Sequence, residues 1–190
     1  MTSLIRTFTG LEVDPLHMKM DEIRIEDIAH ALALCNRFAG HSRYPISVAQ
    51  HSVLVSLLSG PEQLVGLLHD ASEAYLGDVT KWLKEQPEME AYRAAELELQ
   101  DKIYVVFGIY RRPYPNVKWA DRIAVRFEFE MAYGCGQKIA NYSQLTWSEY
   151  KMLTERISRE PFLWQPMMSW QEAEAAFLQR YRDLKRRVIS

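Results

Sequence analysis

The chain has 190 residues, 48% of them apolar and 25% charged, with a formal net charge of −2. That profile predicts one ordinary globular domain with a proper core, and it excludes a protein built to coat nucleic-acid polymers or an anionic membrane. Cys35 and Cys135 are too few and too far apart for a disulfide framework or a zinc knuckle. No charged-then-apolar leader opens the chain, and no apolar run approaches the ~20 residues that span a bilayer, so the expectation is a cytoplasmic protein.

In chain order, residues 1–24 read as irregular, with Gly10 and Pro15 as breakers and Thr7–Gly10 as a short extended piece. Ile25, Ile28, Ala29, Leu32 and Cys35 recur at helical spacing and predict a helix to about Phe38, ended by Gly40. A loop carrying His41, Arg43, Tyr44 and Pro45 follows. Ser47 and Gln50 form a capping-box pattern that opens a helix carrying Val48, His51, Val55 and Leu58. Gly60-Pro61 stops it and Pro61 starts the next helix; so short a link predicts antiparallel neighbours.

That next helix delivers His69-Asp70-Ala71-Ser72-Glu73 behind the apolar run Leu64, Val65, Leu67, Leu68. Helix positions four apart share a face, so His69 and Glu73 are expected to point into one space, with Asp70 about 100° around from His69. Gly77 breaks the helix and Asp78 follows. Ionisable groups packed so densely into apolar sequence are costly to bury unless a cation or hydrogen bonds compensate them.

A helix from about Val79 carries Lys81, Trp82 and Lys84 and is interrupted by Pro87. Residues 88–107 form an amphipathic helix with Tyr92, Ala95, Leu99, Ile103 and Val106 inward and Glu96, Glu98 and Lys102 outside the stripe. Residues 108–116 are a loop. A helix from Val117 to about Tyr133 carries Ala120, Asp121, Ala124, Phe127 and Met131 and is ended by Gly134 and Gly136. Asp121 lies among Trp119, Ala120, Ile123 and Ala124, either as an inward-facing carboxylate or as the partner of Arg122 or Arg126. Thr146 with Glu149 and Ser169 with Glu172 are two more capping boxes, each opening a helix. With no alternating strand, the predicted fold is all-α. It is one domain over residues 1–190, with a core of about 25–133 and C-terminal helices (146–190) packed on it. Trp164, Trp170, Phe177 and Tyr181 there read either as core or as an oligomer interface.

The order His51, His69-Asp70, Asp121 resembles the H…HD…D signature of the HD-domain metal-dependent phosphohydrolases, which are helical bundles. Ser47-Val48-Ala49-Gln50-His51-Ser52, His69-Asp70-Ala71-Ser72-Glu73 and Gly77-Asp78-Val79 resemble the subgroup containing the bacterial 5′-deoxynucleotidases. Phe8-Thr9-Gly10, the run Glu26-Asp27-Ile28-Ala29-His30-Ala31-Leu32 and Gly40-His41-Ser42-Arg43 are similar to a branch of short bacterial and phage enzymes that includes deoxyadenosine triphosphate triphosphohydrolases. The resemblance covers roughly residues 7–130.

It implies that His51, His69, Asp70 and Asp121 hold a divalent ion, one of Co2+, Mn2+, Zn2+, Fe2+ or Mg2+. Two imidazoles and two carboxylates suit a borderline cation, and the absence of thiolates disfavours a closed structural zinc site. It further implies that Glu73 orients an attacking water and Asp78 assists proton movement, or the reverse, and that Arg37 in Cys35-Asn36-Arg37-Phe38 contacts phosphate. Lys81, Lys84 and Lys118 flank the site and are candidates for a longer phosphate chain; each is otherwise a surface lysine. His41 and Arg43 are placed to close over phosphates. Phe38, Tyr44, Tyr75 and Trp82 are candidates to stack on a base, the alternative being core. His30 reads as structural and His17 has no visible role. The implied reaction cleaves the 5′ phosphate ester of a small-molecule 2′-deoxynucleotide. Its leading form takes a deoxynucleoside triphosphate, dATP being a candidate, to deoxynucleoside plus triphosphate. A nucleotidase restricted to monophosphates and a non-catalytic nucleotide sensor are the alternatives, and a homo-oligomer is expected.

Overall fold

An antiparallel pair of two-residue strands, β1 (Ile5–Arg6) and β2 (Glu12–Val13), begins the computed structural model, which describes residues 4–110, 113–134, 145–161 and 163–189. Cys135 and Gly136 lie outside the described residues. Thr7–Gly10, expected to be extended, is instead the turn of this hairpin. Gly10 donates to Thr7 O at 3.0 Å with φ near +90°, a conformation glycine adopts without steric cost. The Asp27 carboxylate accepts from the Thr9 N–H at 2.7 Å and from its hydroxyl at 2.9 Å, which pins the hairpin to the first helix.

That helix, α1 (Ile25–Leu34), ends earlier than its periodicity suggests. Val48 N–H donates to Cys35 O at 2.9 Å and Arg37 N–H to Ile46 O at 2.8 Å, so the chain pairs with the incoming segment instead of continuing to coil. Phe38 and Ala39 then take φ values of 57° and 49°, a left-handed conformation that costs non-glycine residues energy and recurs at functional sites.

The middle of the fold is α2 (Val48–Leu58), every residue of which is buried. Ser47 caps it by accepting from Gln50 N–H at 3.1 Å; the Gln50 side chain, however, donates to Gln165 O at 2.7 Å, so only half of the expected capping box forms. After the turn at Gly60–Glu62, α3 (Gln63–Leu68) folds back on α2 as the short link predicts. Their close approach is at Gly66, where a Cβ would collide with Ser59 Oγ and lie 3.2 Å from Ser56 Cα.

Beyond α3 the chain tightens. Ala71 N–H bonds Leu68 O at 3.2 Å and Glu73 N–H bonds Asp70 O at 3.0 Å, three residues apart rather than four, before α4 (Glu73–Leu76) begins. His69 and Glu73 therefore do not share the face of one continuous helix, contrary to the expectation. The remaining helices are α5 (Lys81–Lys84), α6 (Glu90–Val106), α7 (Pro115–Tyr133), α8 (Trp147–Arg159) and α9 (Trp170–Ile189).

On α6 the buried stripe is Leu99, Gln100, Ile103 and Tyr104; Val106 is exposed, and Glu96 turns inward toward Lys84. The capping boxes of α8 and α9 form in both directions. α1, α3, α7, α8 and α9 all pack on α2, giving the all-α bundle. Trp164 and Phe177 belong to its core, while Trp170 stays partly exposed. Among the described residues, no helix is long and apolar enough to cross a membrane.

Candidate metal centre and cavity

His51 comes from the buried face of α2, where water cannot solvate it, so each ring nitrogen needs a partner. Its Nδ1 lies 3.0 and 3.1 Å from the two carboxylate oxygens of Glu128. His69 directly follows α3, and its Nδ1 donates to Gly66 O at 2.9 Å. Both Nε2 atoms thus turn toward the same place. Asp70 Oδ2 is 3.7 Å from His51 Nε2 and 3.2 Å from His69 Nε2; Asp121 Oδ1, from α7, is 3.2 and 3.9 Å from the same two atoms. His51, His69 and Asp70 each offer a donor atom within 4.8 Å of the others, and this group can hold a divalent cation. Asp121 faces both imidazoles, and Arg126, which sequence allowed as its partner, pairs instead with Glu149 at 3.1 Å.

Three buried polar atoms here lack a hydrogen-bond partner in the chain: His51 Nε2, His69 Nε2 and Glu73 Oε2. The carboxylates are near the imidazole nitrogens yet not placed to accept from them. Such unmet atoms are rare in native interiors, and their convergence marks a place that can take a cation, a water or a ligand. Their chemistry fits a cation at the imidazole end, since each ring has its other nitrogen occupied and presents Nε2.

The electrostatics agree. Burial lowers the His69 pKa, but Asp70 outweighs it and carries the imidazole up to about 9. Burial and Arg37 likewise oppose a proton on His51, and Glu128 with Asp121 raises it nonetheless. Burial would raise the Asp70 and Asp121 carboxyls; the facing imidazoles hold both below the ordinary range.

A cavity of about 410 Å3 opens from this cluster. Asp70, Glu73, Asp78 and Asp121 form its acidic wall; Arg37, Lys81 and Lys84 bring positive charge; Phe38, Val125 and Phe129 supply apolar surface. Burial, joined by Asp70 and Asp78, pushes Glu73 up to about 9. Burial raises Asp78 as well, against the pull of Arg37. Arg37 is not the helix-terminal residue the sequence suggests. It leaves the shortened α1 in extended conformation, with Nε 3.1 Å from Glu128 Oε2 and Nη1 3.7 Å from Asp70 Oδ2. Burial lowers its pKa, yet these carboxylates raise it further, so it stays a cation. A second chamber of about 310 Å3, lined by Tyr104, Tyr114, Val117 and Lys118, shares Asp121 with the first and reaches His69.

Some expected substrate residues stand elsewhere. Trp82 is 73% exposed and His41 is exposed at the end of the Phe38–Gly40 turn, and neither lines either of these two chambers. A four-residue α5 turns the Trp82 ring outward while Lys84 turns in. Tyr75 is buried in the core, and His30 bonds Glu174 at 3.0 Å with Phe8 stacked on it at 4.0 Å, a structural role. Lys84 lines the cavity, but its ammonium is engaged by Glu73 and Glu96. Glu128, wholly buried, was not anticipated from the sequence. The signal was present, because it stands seven residues after Asp121 and so on the same helix face.

No family model matches the chain. It is 37% identical over 127 residues to YfdR, an uncharacterized protein of Escherichia coli, an alignment that covers 66% of this chain and 70% of YfdR. It is 34% identical over 154 residues to an uncharacterized protein of Rhodobacter capsulatus, covering 72% of this chain and 76% of that one.

Proposed function

We propose that this chain, which belongs to one family with YfdR and the Rhodobacter capsulatus protein, is a metal-dependent phosphohydrolase of the HD-domain type acting on 2′-deoxynucleotides. The observation that carries this reading is the pair of buried, unpartnered imidazole Nε2 atoms facing two carboxylates at the end of a cavity that is also lined by a largely buried arginine, Arg37. His51, His69, Asp70 and Asp121 would hold the divalent ion. When bound, such an ion lowers the pKa of water and neutralises charge on a phosphoryl group.

The chain's own groups then divide the work. Arg37 binds and orients the phosphoryl oxygens, its fork pre-set by Glu128. The unpartnered Oε2 of Glu73 faces the cavity, where its carboxylate form, which a cation held beside Asp70 would favour against the burial that raises its pKa, accepts a hydrogen bond from the attacking water and then its proton. As the water oxygen bonds to phosphorus and the P–O5′ bond breaks, the departing 5′ oxygen takes a proton from Asp78, whose carboxyl burial holds above its ordinary range. Exchange of the Glu73 and Asp78 roles is the alternative assignment. The leading overall reaction converts a deoxynucleoside triphosphate, dATP being a candidate, to deoxynucleoside and triphosphate. One observation favours a monophosphate 5′-nucleotidase instead: with Lys84 engaged by two glutamates, fewer cations remain for a long phosphate chain.

The test is turnover of deoxy- and ribonucleoside mono- and triphosphates with Co2+, Mn2+ or Mg2+, the products separated by ion exchange. Triphosphate and free deoxynucleoside support the leading form. Inorganic phosphate from monophosphates alone supports the nucleotidase. No product from a protein that still binds the cation overturns the enzyme reading in favour of a nucleotide sensor.

A further inference from the structure

We propose that Glu128 is a positioning residue that sets the metal end and the phosphate end of the cavity together, resting on the phosphohydrolase reading only for what Arg37 binds. Glu128 has no solvent exposure, and its side chain meets two cavity groups at once. Both carboxylate oxygens lie within 3.1 Å of His51 Nδ1, and Oε2 is also 3.1 Å from Arg37 Nε.

A carboxylate can only accept, so Nδ1 carries the hydrogen, and in the neutral ring it is Nε2 that presents its lone pair to the cluster of Asp70, Asp121 and His69. The same charge holds the root of the Arg37 guanidinium, leaving its outer nitrogens near Asp70 and the cavity. A buried ion pair contributes little stability for its own sake, because desolvation offsets its attraction. One carboxylate that orients both a candidate ligand and a candidate phosphate donor has a different consequence: the two subsites are built in register. The rival explanation, a purely structural ion pair, leaves the choice of His51 tautomer without effect on cation binding.

Glu128→Gln keeps the side-chain shape and removes the charge. In folded protein, judged by an unchanged far-UV spectrum, Co2+ affinity by calorimetry is expected to fall about 10–100-fold, the usual effect of losing an outer partner of a metal-ligating histidine. The visible spectrum of bound Co2+ is expected to change, and inorganic phosphate to bind the Co2+-loaded protein more weakly. Wild-type Co2+ affinity and spectrum in folded E128Q overturn the proposal. If E128Q does not fold, the side-chain nitrogen NMR spectrum of wild-type, Zn2+-loaded protein decides. A His51 proton on Nδ1 supports the assignment, and a proton on Nε2 overturns it. Cation binding that depends on Glu128 without turnover of any nucleotide removes the phosphohydrolase reading and leaves this role in place.

Discussion

Lys84 Nζ lies 2.9 Å from Glu73 Oε1 and also meets Glu96 of α6, so α5, α4 and α6 are joined at the cavity wall by one ammonium. The link occupies one oxygen of Glu73 and leaves the other, Oε2, buried and unpartnered. It also makes the wall's titration depend on three elements at once.

Burial, Asp70 and Asp78 raise the Glu73 carboxyl from 4.5 to about 9, and the single ammonium that Glu96 shares does not outweigh them. A carboxyl whose folded pKa lies above its unfolded one costs nothing below the unfolded value and destabilises increasingly as pH rises to the folded one. Glu73→Gln is therefore expected to raise the Tm of cation-free protein by several degrees at pH 8, at about 2–4 °C per kcal/mol for a chain of this size. Little change is expected at pH 4.5. Thermal melts at the two pH values check it, and equal shifts at both would refute it.

His69 is also raised, from 6.5 to about 9, burial being outweighed by Asp70. Its sign is opposite: the favourable contribution is complete below 6.5 and is lost as pH rises through about 9. A cation at Nε2 must displace that proton. Co2+ binding at pH 7 is thus expected to release protons and to tighten as pH rises toward 9. Calorimetry in buffers of different ionisation enthalpy measures the release, and a buffer-independent heat would count against ligation by His69.

Asp121 Oδ1 faces both imidazoles. A ligand at 100 times its Kd stabilises the native state by about 2.7 kcal/mol, and Co2+ at that level is expected to raise Tm by roughly 5–10 °C. Asp121→Asn is expected to remove most of that rise while leaving the cation-free Tm within a few degrees. Differential scanning calorimetry with and without Co2+ makes the comparison; a full Co2+-induced rise in D121N would exclude Asp121 from the ligand set.

Gly66 lies where α3 crosses α2, and its carbonyl orients His69. A methyl there meets Ser59, whose hydroxyl already donates to Val55 O at 2.7 Å, and the Ser56 backbone. Gly66→Ala is expected to cost about 1–3 kcal/mol, as overpacking does, and to weaken Co2+ binding through the displaced carbonyl. Chemical denaturation and Co2+ titration of the same sample test both, and unchanged values would mean that the helices separate freely.

The sequence by itself determined which segments coil and which residues are the candidates to carry chemistry. Helical periodicity, the Thr146 and Ser169 caps and the turn at Gly60-Pro61 act within a few residues, where propensity and hydrogen bonding are local. The His69-Asp70 stretch was legible because costly buried charges stand out against apolar neighbours, and the order His51, His69-Asp70, Asp121 because it resembles a family signature. Tertiary structure alone decided what each side chain meets. Cross-chain pairing stopped α1 before Arg37 and released that residue to Glu128; a short α5 sent Lys84 inward and Trp82 outward. These outcomes depend on the register of helices far apart in the chain, and no local preference encodes that register. Glu128 falls between the two: its face follows from a spacing of seven, but its partners on α2 and on the segment after α1 exist only once the bundle has closed.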